Sequence, residues 1–109
     1  MTKLLETAGL ETALLEFARQ RDWDQFHTPR SLILALTGEV GELAEIFQWL
    51  TDAQAEQIMH SDKAEHVRQE VSDVLLYLMR LVMVLGIDID AAVQAKIALN
   101  AIKYPPLQT

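Results

Sequence analysis

The chain has 109 residues, and its 16 Asp and Glu residues outnumber its 9 Lys and Arg residues, which gives a formal net charge of -7. Half of the residues are hydrophobic, and there is no cysteine. This composition argues against intrinsic disorder, a disulfide scaffold, a thiolate nucleophile and cysteine-bound zinc, and it lacks the basic patch that binding a nucleic-acid polymer requires. We therefore predict one small folded domain spanning residues 1–109.

The first half of the chain predicts two helices. Apolar residues recur on one face over about residues 4–21, which predicts the first helix. Residues 22–27 are polar and aromatic and favour a loop. Thr28 is a good helix N-cap and Pro29 a good first helical residue, so we predict the second helix over about residues 29–50.

The next segments predict a connection and a long third helix. Residues 51–61 are polar and irregular, with room for a short helical turn. The third helix is predicted over about residues 62–85. After Val74 it is apolar almost all round, so we expect it to be buried on most sides. Gly86 is a suitable C-terminal stop.

A fourth helix completes the predicted fold. Asp88 or Asp90 can cap it, and it should end before Tyr104 and the two prolines that follow. No segment has the pattern of a strand, so we predict an all-α bundle of four main helices. A chain this short cannot cover an all-round apolar helix, and we expect oligomerisation to complete the bundle.

Neither targeting nor membrane insertion is expected. The first ten residues have no long apolar core with a cleavage site, so we expect no signal peptide. The most apolar stretch, residues 71–85, carries Asp73 and Arg80 and is too short to span a bilayer. A chain without cysteine suits a reducing compartment, and we predict a cytoplasmic protein without membrane partners.

Carboxylates lie on the apolar faces of the second and third predicted helices. With Glu39 at 0° and about 100° per residue, Leu32 and Leu50 fall near 20°, inside the same stripe. Glu42 lies one step along that edge, and Glu45 follows it. The third helix has the same feature, because its Glu-x-x-Asp pair also falls on an apolar face. That pair is Glu70 and Asp73.

Two explanations fit these paired carboxylates. In the first, the helices are tilted, and the half-exposed acids pair with Arg or Lys. In the second, a divalent cation lies between the helices; oxygen-only ligands suit Mg²⁺, with Mn²⁺ as a possible substitute. A di-iron site would need Glu-x-x-His, and His66 does not supply that spacing. A bound metal would also let an acidic protein accept an anionic nucleotide.

Other side chains are candidate nucleotide contacts, each with a simpler alternative. Lys96, Asn100 and Lys103 share one face of the fourth helix and could bind phosphate, although such a stripe is often only a solvated face. Trp23 and Trp49 lie near helix ends and could stack on a base, or simply pack.

Two further polar residues precede or begin the second helix. His27 could hydrogen-bond a base, or it could decorate the loop. Arg30, in the first turn of this helix, could reach phosphate or pair with Asp22 or Asp24.

These motifs together resemble a known family. RDWDQFHTPR at 21–30, GEVGELAEIFQW at 38–49, EVSDVLLY at 70–77 and the closing Lys96, Asn100 and Lys103-Tyr104-Pro105 resemble MazG-type nucleotide pyrophosphohydrolases, with the dCTP pyrophosphatase branch the nearest. The resemblance runs from about residue 17 to residue 105. Ser31 departs from the Asn common in this branch, and few basic residues follow Trp49, so the base is not fixed by the motifs.

The resemblance implies a fold, a reaction and roles for particular residues. It implies an all-α fold that assembles as dimers or tetramers with the site between chains. It implies Mg²⁺-dependent hydrolysis of a nucleoside triphosphate to the monophosphate and pyrophosphate. The implied metal ligands are Glu39, Glu42, Glu70 and Asp73. The implied substrate contacts are Trp23, His27 and Trp49 for the base, with Tyr77, Lys96, Asn100, Lys103 and Tyr104.

Several alternatives remain open at this point. Either Glu42 or Glu45 could orient or deprotonate the attacking water. The substrate could be dCTP, a modified dNTP, or another nucleotide such as dUTP or phosphoribosyl-ATP. The rival hypothesis of another class is a non-catalytic helical adaptor or nucleotide sensor, which would not require acids on apolar faces.

Overall fold

A computed structural model describes residues 2–108, and these residues form helices and connecting turns without a strand. Two single-turn 3₁₀ segments lie at Asp24–Phe26 and Ile58–His60. The α-helices are α1 (Ala8–Gln20), α2 (Pro29–Phe47), α3 (Asp52–Glu56), α4 (Ala64–Leu85) and α5 (Ile89–Lys103). The predicted all-α fold with four main helices is confirmed, and the connection after α2 contains the short α3.

Helix α4 is the centre of the fold. It packs chiefly against α2 and next against α1. One apolar cluster joins Ile46 of α2 and Val67 of α4 to Ile58 of the second 3₁₀ turn. Because α2 and α4 pack along each other, their carboxylate-bearing faces can meet.

The capping signals in the sequence act as predicted. The Thr28 hydroxyl accepts a hydrogen bond from the Ser31 amide, and Pro29 begins α2. Gly86 ends α4 with a φ of 68°, a left-handed conformation that suits glycine. Helix α2 is shorter than predicted and ends at Phe47, because the Thr51 capping box starts α3 soon afterwards. Helix α4 begins at Ala64, slightly later than predicted.

The first helix begins later than predicted, at Ala8 instead of Leu4. The backbone amides of Leu4 and Leu5 donate to Asp90 Oδ1 at 2.7 and 2.9 Å, which holds this segment against the start of α5. Asp90 is available for this because Asp88 caps α5 instead. Periodicity along the sequence cannot reveal a contact between residues so far apart.

The loop after α1 is built by a left-handed residue. Asp22 has a φ of 55°. Its amide donates to the Arg19 carbonyl, and the Trp23 amide donates to the Ala18 carbonyl at 2.9 Å. These two bonds form a Schellman-type helix end, which turns the Trp23 ring back towards α1.

Substitution of Asp22 should report this conformation. Asp22→Val should destabilise the protein by about 1–2 kcal/mol, since a β-branched residue is strained at positive φ, whereas Asp22→Gly should be nearly neutral. Urea unfolding of both variants measures the difference. Equal stability of the two variants would contradict the left-handed turn.

A single copy of the chain leaves much surface uncovered. The radius of gyration is 17.2 Å, against about 13 Å for a compact chain of this length. The accessible surface is 8380 Å², roughly 2,300 Å² more than a compact monomer of this mass exposes. Helix α5 has no buried residue among those described.

The expected burial of the third predicted helix is therefore not met within one copy. Val71 and Leu75 of α4 are each about half exposed. Each helix within residues 2–108 is too short or too polar to span a bilayer.

Candidate active site

Three carboxylates meet where α2 packs against α4. Glu39 of α2 and Glu70 and Asp73 of α4 each offer an oxygen, and these oxygens lie within 4.8 Å of one another. We call these three residues the acid cluster. The i, i+3 spacing places Glu70 and Asp73 on one edge of α4, and helix packing brings Glu39 opposite them.

The acid cluster lacks compensating charge; Glu70 is buried, and Glu39 and Asp73 are half-buried. Oε2 of Glu39 and Oε2 of Glu70 are buried without a hydrogen-bond partner among residues 2–108. Within that range no Lys or Arg forms an ion pair with the cluster; the nearby base is His66, whose Nε2 lies 3.5 Å from Glu70 Oε1. The first explanation required half-exposed acids paired with Arg or Lys, and for these three residues that pairing is not found among residues 2–108.

Burial has an electrostatic consequence at Glu39. Burial, followed by the charge of Glu42, raises the pKa of Glu39 to about 7. The charge of Asp73 acts in the same direction. Buried anionic oxygens without partners, all supplied by carboxylates, fit a hard divalent cation.

The pKa shift predicts how metal-free stability depends on pH. The folded protein keeps a proton on Glu39 between about pH 4.5 and about pH 7, where the unfolded chain has released it, so stability should fall as pH rises through this window. Thermal unfolding in a chelator should show this fall. The fall in stability should be smaller in Glu39→Gln. An identical pH dependence in the two proteins would contradict the raised pKa of Glu39.

A polar cavity lies on one side of the acid cluster. It has a volume of about 460 Å³, and Glu70 contributes to its wall. Glu42 and Glu45 face it from α2, and Lys63 and His66 face it from the start of α4. Glu42 thus lies beside the acid cluster, with its charge acting on Glu39, but it is not one of the three oxygens that meet.

A second, aromatic cavity also adjoins the acid cluster. It has a volume of about 420 Å³, within the range of small-ligand pockets, roughly 300–1,000 Å³. Its wall is largely apolar and includes Phe17, Trp23, His27 and Tyr77. Asp73 belongs both to this wall and to the acid cluster, so the cavity adjoins the carboxylates.

Arg80 also lines the aromatic cavity. The sequence alone had not indicated it as a site residue. It is only 8% exposed. Its Nε donates to His27 Nδ1 at 2.9 Å, and its Nη2 donates to Asp24 Oδ1 at 2.6 Å. Its position seven residues after Asp73, on the same face of an apolar helix, was the available signal.

The remaining predicted contacts are not brought to the site within one copy. Trp49 is 86% exposed. Lys103 lies 5.3 Å from the Tyr104 ring centroid, at the exposed end of α5. The predicted substrate residues that line neither cavity are Arg30, Trp49, Lys96, Asn100, Lys103 and Tyr104.

Comparisons with known proteins identify the family of this chain. The MazG-like family matches residues 35–108. dCTP pyrophosphatase 1 of Rattus norvegicus and of Homo sapiens are each 48% identical over 91 residues, 83% of this chain and 54% of theirs. The crystal structure of a pyrophosphatase from Archaeoglobus fulgidus superimposes with a TM-score of 0.85 at 36% identity, covering 97% of this chain and 98% of that one.

The chain belongs to the MazG-like family. It spans about half the length of the curated relatives it matches.

Proposed function

We propose that this protein hydrolyses a deoxynucleoside triphosphate, dCTP or a related or modified dNTP, to the monophosphate and pyrophosphate in the presence of Mg²⁺. The observation that carries this proposal is the position of Asp73, which joins the acid cluster to the aromatic cavity. A nucleoside in the aromatic cavity would have its phosphates beside the carboxylates. The relatives named dCTP pyrophosphatase 1 support the choice of substrate.

The acid cluster would hold the divalent cation, with Glu42 as a fourth candidate ligand. When bound, the cation would neutralise phosphate charge and polarise the phosphoryl group. Within the protein itself, Trp23 and Tyr77 would hold the base and sugar in the aromatic cavity, which fixes the α-phosphate near the carboxylates.

The attacking water would come from the polar cavity. Glu42 or Glu45 would orient it and accept its proton, because both face that cavity. The water oxygen would form a bond to the α-phosphorus, and the bond from this phosphorus to the oxygen that bridges to the β-phosphorus would break. Pyrophosphate would leave with the electron pair of that bond. Lys63 lines the same cavity and would offset part of the charge on the departing anion.

A second copy of the chain would complete the site. Trp49 and the polar face of α5 lie away from the acid cluster within one copy, and a surplus surface of roughly 2,300 Å² is of the size that obligate assemblies bury. In the assembly, Trp49 would reach the base, and Lys96, Asn100 and Lys103 would reach the phosphates. The assembly we propose is a homodimer or homotetramer.

A substrate panel tests the proposed function. Standard and modified dNTPs, together with dUTP and phosphoribosyl-ATP, are incubated with the protein and Mg²⁺, and monophosphate and pyrophosphate are quantified. We expect equal amounts of the two products, highest for dCTP or a close analogue, and none in the presence of a chelator. Folded protein that releases no pyrophosphate from any nucleotide would refute the proposal.

A further inference from the structure

Arg80 has no role in the reaction described above, yet it is a charged residue buried in the apolar second half of α4. Its side chain is 9% exposed, whereas that of its partner Asp24 is 48% exposed. Burying a guanidinium costs free energy unless its donors are well bonded. The donors of Arg80 bond to Asp24 and His27, so the role of Arg80 lies in how it holds these two side chains.

The direction of the bond to His27 decides where the imidazole proton lies. An arginine Nε carries a hydrogen and can only donate, and arginine stays protonated in proteins. His27 Nδ1 must therefore accept, at 2.9 Å, and cannot itself carry a proton. The neutral ring then has its hydrogen on Nε2.

The other imidazole nitrogen is left for a ligand. Nε2 lies across the ring from Nδ1, and it makes no hydrogen bond within the described residues, 2–108. The Trp23 ring centroid lies 6.0 Å from that of His27, tilted by 58°, and both rings line the aromatic cavity. This geometry suits a planar group held against Trp23 and hydrogen-bonded at its edge by His27.

We propose that Arg80 is a positioning residue, which fixes His27 as an Nε2–H donor in the aromatic cavity and so selects a ligand that offers a carbonyl oxygen there. The identity of that ligand as a pyrimidine base rests on the proposed function. The tautomer itself is a property of the free protein. Asp24 accepts a hydrogen bond from Nη2 of Arg80, and this second bond fixes the plane of the guanidinium.

The electrostatic surroundings of His27 agree with a neutral ring. Burial, followed by the charge of Arg80, lowers the pKa of His27, and Asp24 opposes this in part. A protonated His27 would direct an N–H at the Arg80 Nε–H, so the geometry and the charges favour the same state.

Nitrogen-15 NMR of the imidazole rings in the intact 109-residue chain, without metal or nucleotide, tests the tautomer. In the wild type near neutral pH we expect the His27 Nδ1 signal to be that of an unprotonated acceptor and Nε2 to carry the proton. In Arg80→Met the two tautomers should mix. Arg68→Met is the matched control, since Arg68 lies on the same helix but pairs only with exposed Glu65, and it should leave His27 unchanged.

The wild-type spectrum alone can overturn the tautomer claim, even if Arg80→Met does not fold. A proton on Nδ1, or a doubly protonated ring near neutral pH, would refute it. Because no turnover is involved, a failure of the proposed reaction leaves this result unaffected.

Binding and kinetics test the selection of a carbonyl oxygen. Titration of metal-free protein with dCMP should shift the His27 Nε2–H signal and no other histidine signal to the same extent. In assays with dCTP, Arg80→Met should raise KM by roughly fivefold with little change in kcat, since one oriented hydrogen bond of about 1 kcal/mol is lost before the chemical step. An unshifted His27 signal on dCMP binding, or an unchanged KM in Arg80→Met, would refute the selective role.

Discussion

Glu70→Gln should reduce metal-dependent turnover by about 100-fold or more while the protein stays folded. Changes to residues behind a metal ligand commonly cost about 10–100-fold, and loss of a ligand itself should cost at least as much. Glu70 is 9% exposed, and one of its oxygens has no hydrogen-bond partner among residues 2–108. Steady-state pyrophosphate release measures the loss.

The same substitution separates the enzyme from a non-catalytic adaptor or sensor. In the metal-free protein, Glu70→Gln removes a charge beside Glu39, so the melting temperature should rise by a few degrees instead of falling. Glu65→Gln is the matched control, because Glu65 lies on the same helix but is exposed. Wild-type turnover in Glu70→Gln would show that the acid cluster does not hold the catalytic metal.

Leu75→Glu should dissociate the assembly and destabilise the protein by about 3 kcal/mol or more. Leu75 lies in the middle of α4, the central helix of the fold, yet it is 49% exposed in one copy. Substitution of a residue that stays in solvent would change stability by less than about 0.5 kcal/mol, whereas placing an unpaired carboxylate in an apolar interface costs several kcal/mol. Sedimentation and thermal unfolding at several protein concentrations measure both effects.

Gln20→Glu is the control for added negative charge, because Gln20 is exposed at the end of α1. It should leave the assembly intact. A wild-type protein that sediments as a 12.3 kDa monomer, with a melting temperature independent of concentration, would contradict the shared site.

Local signals made most of the fold predictable. Thr28 and Pro29 start α2 and Gly86 ends α4, because these residues act on their own backbone or on that of near neighbours. The placement of Glu39 and Glu70 on apolar faces made a meeting between them one of two explanations, and the structure brings them together. Only the helical period was needed for that inference.

What could not be predicted depends on contacts between distant residues. Asp90 holds the amides of Leu4 and Leu5 and so delays the start of α1. Arg80 bonds Asp24 and His27, which lie more than fifty positions away in the chain. A periodic pattern indicates which face is buried, but it does not indicate which polar partners meet on that face.

The predicted substrate contacts also fall into two groups: those that one copy brings together and those that it does not. Trp23, His27 and Tyr77 lie together around one cavity because α1 packs against α4 and the loop after α1 returns to the same place. Trp49 and the basic residues of α5 lie elsewhere in the chain, so their roles depend on a second copy and remain proposals.

Hydrolysis of dCTP in water enriched in oxygen-18 tests the central claim most directly. With Mg²⁺, we expect one heavy oxygen in each dCMP and none in the pyrophosphate, because the water attacks the α-phosphorus; with a chelator, we expect no product. Heavy oxygen in pyrophosphate, release of orthophosphate, or equal turnover without a divalent metal would contradict the account.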